Sequence, residues 1–72
     1  MNIERLVDMA NDIARYFASE PERDEAITGI ATHLKRFWEP RMRTALMAHC
    51  RATQGEGLHE LAREAIHRMA GD

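Results

Sequence analysis

Apolar residues recur along this chain at the spacing of a helix face almost from end to end. The series Ile3, Leu6, Val7, Ala10, Ile13, Ala14, Phe17 advances by threes and ones, which lines one side of a helix at 3.6 residues per turn. Asn2 stands where its side-chain oxygen can accept from a free N–H of the first turn. Ser19-Glu20-Pro21-Glu22 reads as a break and restart. Ser19 is placed to cap, Glu22 answers three residues later, and Pro21 suits a first turn whose N–H groups lack partners. Asp24 and Glu25 then set negative charge at the positive end of the helix dipole.

The second series is Ala26, Ile27, Ile30, Ala31, Leu34, Phe37, Trp38, one stripe that ends in two aromatics. Pro40 cannot donate to the carbonyl of Arg36, and its ring crowds that turn, so the spacing predicts a stop or kink at Trp38 and Glu39. Met42, Ala45, Leu46 and His49 make a third series reaching toward Thr53. Gly55 and Gly57 mark the turn after it. Leu58, Leu61, Ala62, Ala65, Ile66 and Met69 predict a fourth helix. No segment alternates apolar and polar residues as a half-buried strand does. The expectation is therefore all-α: one domain over residues 1–72, a small bundle of about four short helices, with a Pro kink between the second and third as an open alternative to a clean break. Gly29 is out of place inside a helix, at a cost of about 1 kcal/mol against Ala. It either lets another backbone come close or is a tolerated surface glycine.

Composition narrows the functions such a bundle can have. At 72 residues and 8.3 kDa the chain is too small to enclose a substrate unaided. A domain of this size hides only about 60% of its unfolded surface, so a partner or an oligomer is an expected source of stability. One cysteine, Cys50, excludes an internal disulfide and fits a reducing compartment. Glu4, Asp8 and Asp12 interrupt any apolar signal-peptide core, and no apolar run is long enough to span a membrane. A soluble, cytoplasmic protein is expected. A net charge of -2 and a pI near 6.1 argue against a generic nucleic-acid binder.

That net charge conceals an uneven distribution. Residues 1–32 hold seven acids and three bases, whereas residues 33–51 hold Lys35, Arg36, Arg41, Arg43 and Arg51 against Glu39 alone. The basic island contains the only Trp of the chain. It is either a solvated face beside a buried aromatic pair or a binding surface. Arginine suits the second reading through its planar fork for carboxylate or phosphate, and Trp and Arg are the types that most often dominate binding energy. Glu4, Asp8 and Asp12 form an acidic ridge at i, i+4, i+8, able to meet the island or a basic partner; Glu64 and Arg68 are spaced for ordinary surface stabilisation. His49-Cys50, His33, His59 and His67 do not share the spacing of a zinc site or a catalytic dyad. Their expected roles are structural: His49 at the border of the core, Cys50 as a small apolar residue, His59 and His67 in solvent. No phosphate loop is present. Met9, Met42, Met47 and Met69 suit either core filling or an adaptable partner surface.

Within the island, His33-Leu34-Lys35-Arg36-Phe37-Trp38-Glu39-Pro40-Arg41-Met42-Arg43 resembles the signature of the delta subunit of NAD-dependent, molybdenum-containing formate dehydrogenase. Leu6-Val7-Asp8-Met9-Ala10-Asn11-Asp12-Ile13 and Gly57-Leu58 resemble the same family, so the likeness covers nearly the whole chain; residues 50–56 match less clearly. The resemblance implies a non-catalytic accessory subunit that supports assembly, cofactor insertion or stability of the complex by docking on the large molybdenum subunit. It implies no cofactor on this chain alone. The complex would carry molybdenum bis-guanine-dinucleotide, iron–sulfur clusters and FMN in its other subunits. The partner-binding residues expected are Arg36, Phe37, Trp38, Pro40, Arg41 and Arg43. Phe37 and Trp38 would anchor, the arginines would meet carboxylates or cofactor phosphates, and Pro40 would fix the corner. The alternatives are a small nucleic-acid-binding module on the same island and a self-associating helical protein, a homodimer in isolation.

Overall fold

A computed structural model describes residues 2–71. Four helices follow one another: α1 (Ile3–Phe17), α2 (Arg23–Phe37), α3 (Pro40–Thr53) and α4 (Glu60–Gly71). No strand occurs among the described residues. Asn2 caps α1 as its chemistry requires, its Oδ1 accepting from the N–H groups of Glu4 at 2.9 Å and Arg5 at 3.4 Å. The expected cap of α2 is not formed. Ser19 instead donates its hydroxyl to the Tyr16 carbonyl, and the Glu20 N–H donates to Phe17, so this stretch finishes α1. Helix α2 begins later, at Arg23, behind an extended Glu22 without a side-chain cap; Pro21 lies ahead of the helix rather than in its first turn.

Trp38 and Glu39 are both extended, at φ/ψ of -90/141° and -66/149°, so α2 and α3 are two helices and not one kinked rod. Pro40 opens α3 at a position where no N–H is needed. Helix α3 ends in left-handed backbone at Gln54 (φ 61°), followed by Gly55 (φ 79°) and Gly57 (φ 84°). Helix α4 starts two residues after its apolar series, because the His59 ring caps it: Nδ1 accepts from the Leu61 N–H at 3.0 Å. His59 is half-buried, not in solvent as expected.

All four helices turn their stripes inward. Leu6, Val7, Ala10 and Ala14 from α1, Ala26, Ile27, Ile30 and Leu34 from α2, Leu46 from α3, and Ala62, Ala65 and Ile66 from α4 are buried together with Trp38 and Leu58. Five of these are alanines, and small residues at a seam let helix backbones approach closely. The most extensive pairing is α2 with α4. Its rim carries crossed ion pairs, Arg23 with Glu60 and Asp24 with Arg68. Gly29 has a side-chain reason: a Cβ there would stand 2.5 Å from Cε1 and 2.7 Å from Cδ1 of Phe17, so the glycine makes room for that ring rather than for a backbone. Helix α3 is the least enclosed, with Leu46 as its single buried side chain.

Candidate functional site

The corner between α2 and α3 is built on an unfinished helix end. The last carbonyls of any helix lack intrahelical partners, and the usual closure uses a left-handed glycine beyond the end. Trp38-Glu39-Pro40 supplies none. Arg43, one turn into α3, closes the end instead: its Nη1 donates to the carbonyls of Trp38 at 2.7 Å, Lys35 at 3.1 Å and Leu34 at 3.4 Å. A guanidinium here also places positive charge at the negative end of the α2 dipole. The Trp38 N–H donates to Leu34 at 3.1 Å. The extended backbone at Trp38 swings its indole into the core, where it is only 6% exposed.

Phe37 takes the opposite course and is 68% exposed. It lies seven residues after Ile30, about 700° and therefore close to two full turns, so periodicity alone puts it on the core side. The helix ends there, however, and Trp38 occupies the interior position. The Phe37 ring rests on its own helix instead, 4.8 Å from the His33 ring and 5.9 Å from the Arg36 guanidinium carbon. Pro40 and Arg41 are exposed just beyond. Arg41 comes to 3.8 Å from Glu39, with both side chains at least 70% exposed, a pairing that contributes little in water.

The six residues singled out in the sequence thus divide into two groups. Trp38 and Arg43 hold the corner together from within. Arg36, Phe37, Pro40 and Arg41 present its outer surface. What that surface can do chemically is recognition: a flat apolar ring with one guanidinium against it suits an apolar side chain beside carboxylate or phosphate oxygens. Among the described residues no three His, Cys, Asp or Glu side chains gather as a metal site would require. No helix is long and apolar enough to cross a membrane.

The acidic ridge of α1 does not reach the basic island; Asp12 pairs with Arg15 on its own helix. Glu64 and Arg68 do meet, at 3.5 Å, although Arg68 lies closer to Asp24, at 2.9 Å. His49 is half-buried at the core border, its Nε2 2.8 Å from the Glu56 carbonyl oxygen. Cys50 packs partly buried against the core, and that burial pushes its thiol pKa up.

One residue of structural consequence escaped the reading of pattern and charge. The Asn11 amide donates from Nδ2 to the Gly57 carbonyl at 2.9 Å and accepts at Oδ1 from the His59 N–H at 2.7 Å. It pins the turn before α4 to the middle of α1. The available signal was an amide at the edge of an apolar stripe, within the segment that resembles the delta-subunit family.

The model of one protein family, described as NADH-dependant formate dehydrogenase delta subunit FdsD, matches residues 5–66. The match contains α1 from Arg5 onward, all of α2 and α3 with the whole corner, and α4 as far as Ile66. No curated protein and no solved structure matches the chain.

Proposed function

Because this chain belongs to the family of NADH-dependent formate dehydrogenase delta subunits, we propose that it is a non-catalytic accessory subunit that docks on the large molybdenum-containing subunit of that enzyme. It supports assembly, cofactor insertion or stability of the complex in the cytoplasm. The molybdenum bis-guanine-dinucleotide, the iron–sulfur clusters and the FMN reside in the other subunits.

The observation that carries this reading is the exposed Phe37 ring, with Arg36 against it and Arg41 beyond, on a corner held together by Trp38 and Arg43. A large aromatic left in water on a domain this small, with arginine side chains beside it, has the composition of a docking anchor. Phe37 enters an apolar recess of the large subunit, and Arg36 and Arg41 meet carboxylates at its edge.

The test is a pull-down of the large subunit by the tagged chain and by its Phe37→Ala and Arg41→Glu variants, with folding monitored by circular dichroism. Each variant is expected to keep its melting temperature and to lose affinity by about tenfold or more, the loss typical of a dominant interface residue. Full association by both well-folded variants would overturn the assignment of the corner.

A further inference from the structure

A second surface lies where α3 and α4 part along one side. The gap is a groove of about 460 Å³, with Met47 and Cys50 from α3 facing Ile66 and Ala70 from α4. Arg51 stands on the α3 wall and Arg63 on the α4 wall. Neither guanidinium has a hydrogen-bond or ion-pair partner among the described residues. The carboxylate that also lines the groove, Glu64, pairs with Arg68 at 3.5 Å. The groove therefore has an apolar floor and, on each wall, a guanidinium without a partner among the described residues.

That combination selects the occupant. A free anion would satisfy the arginines and leave the floor in water, whereas an uncharged apolar segment would bury the floor and leave the arginines unpaired. A helix between two helices fills such a groove with one apolar stripe and directs its flanking residues at the two walls. Met47 adds an adaptable side chain to the contact. We propose that the groove receives an acidic amphipathic helix of another subunit of the complex, its apolar stripe on Met47, Cys50 and Ala70 and its carboxylates on Arg51 and Arg63. This rests on the accessory-subunit reading for the origin of the helix, and not on the Phe37 corner.

Cys50 is the single thiol of the chain and lies inside the groove, so it reports occupancy directly. The experiment compares alkylation of Cys50 in the free chain and in the purified complex, for wild type and for an Arg51→Glu, Arg63→Glu double variant. A photocrosslinking amino acid placed at Ala70 identifies the neighbour by mass spectrometry. Alkylation is expected to slow by about tenfold or more in the wild-type complex and to return to that variant's free-chain rate when both arginines are reversed, as an occupied and then vacated site requires. The crosslink is expected in an acid-rich helix of another subunit. Equal reactivity of Cys50 in the free and assembled states overturns the proposal, as does a crosslink to a second copy of this chain or to a segment poor in acids. A chain that co-purifies with Cys50 open refutes the groove and leaves the accessory-subunit reading standing; a chain that does not co-purify refutes both.

Discussion

Substituting Gly29 by alanine sets two effects of known direction against each other. Alanine in place of a helix-interior glycine is favourable by about 1 kcal/mol. At this position the new methyl would lie 2.5 Å from Cε1 and 2.7 Å from Cδ1 of Phe17, well inside van der Waals contact. The Phe17 ring is half-buried and packs against the core, so moving it disturbs packed neighbours. Overpacking of this kind costs about 1–3 kcal/mol. With a central cost near 2, Gly29→Ala should destabilise the chain by about 1 kcal/mol, a fall in Tm of about 4–8 °C for a domain of this size. In a Phe17→Ala background the collision is gone and only the propensity remains, so the same substitution should raise stability by about 1 kcal/mol. The coupling between the two sites is then about 2 kcal/mol, read from a double-mutant cycle by urea and thermal unfolding. Stabilisation by the same amount in both backgrounds would refute the argument, since it would mean that the ring moves aside without cost.

Three further outcomes follow from contacts described above. Arg43→Ala removes the donor that closes α2 and should cost about 1–2 kcal/mol in urea unfolding, whereas Arg41→Ala should stay within about 0.5 kcal/mol of wild type; equal effects would show that Arg43 does not cap the helix. Asn11→Ala leaves the Gly57 carbonyl and the His59 N–H without their partner and should cost about 1–3 kcal/mol, with faster proteolysis between residues 54 and 59; an unchanged cleavage rate would show that the turn holds itself. The hydrogen bond from Arg68, reinforced by its charge, holds the Asp24 carboxyl below its ordinary range. Its contribution is therefore present above the pKa of an unfolded Asp and is lost as pH falls through the lowered value. Melting curves of wild type and Asp24→Asn should converge at the acid end and separate toward neutrality, and a separation that grows with acidification would contradict the pairing.

Local periodicity revealed most of the architecture, because a stripe at helical spacing needs only neighbouring residues to define it. Asn2 capped where an amide before an apolar series should, and Pro40 began a helix where a ring without an N–H fits best. The misreadings have a common origin in contacts that no local pattern encodes. Ser19 had two backbone ends within reach and satisfied the one behind it. Phe37 had the angular position of a core residue, but α2 ends at it, and the extended Trp38 turned in instead. Arg43 belonged by composition to a basic surface, yet the missing glycine after α2 left carbonyls that drew its guanidinium inward. Asn11 acts across 46 and 48 residues of sequence, beyond the reach of any window. The surface part of the corner was legible as charge and aromaticity; its division into interior supports and outer contacts required the coordinates.

Helix α3 contributes to both exposed surfaces, the corner through Pro40 and Arg41 and the groove through Met47, Cys50 and Arg51, while Leu46 is its single fully buried side chain. Amides in such a segment exchange with solvent through small openings well before the whole chain unravels. Association would then raise protection of α3 far more than that of α2, and the free subunit is primed to breathe at the helix that recognition would quiet.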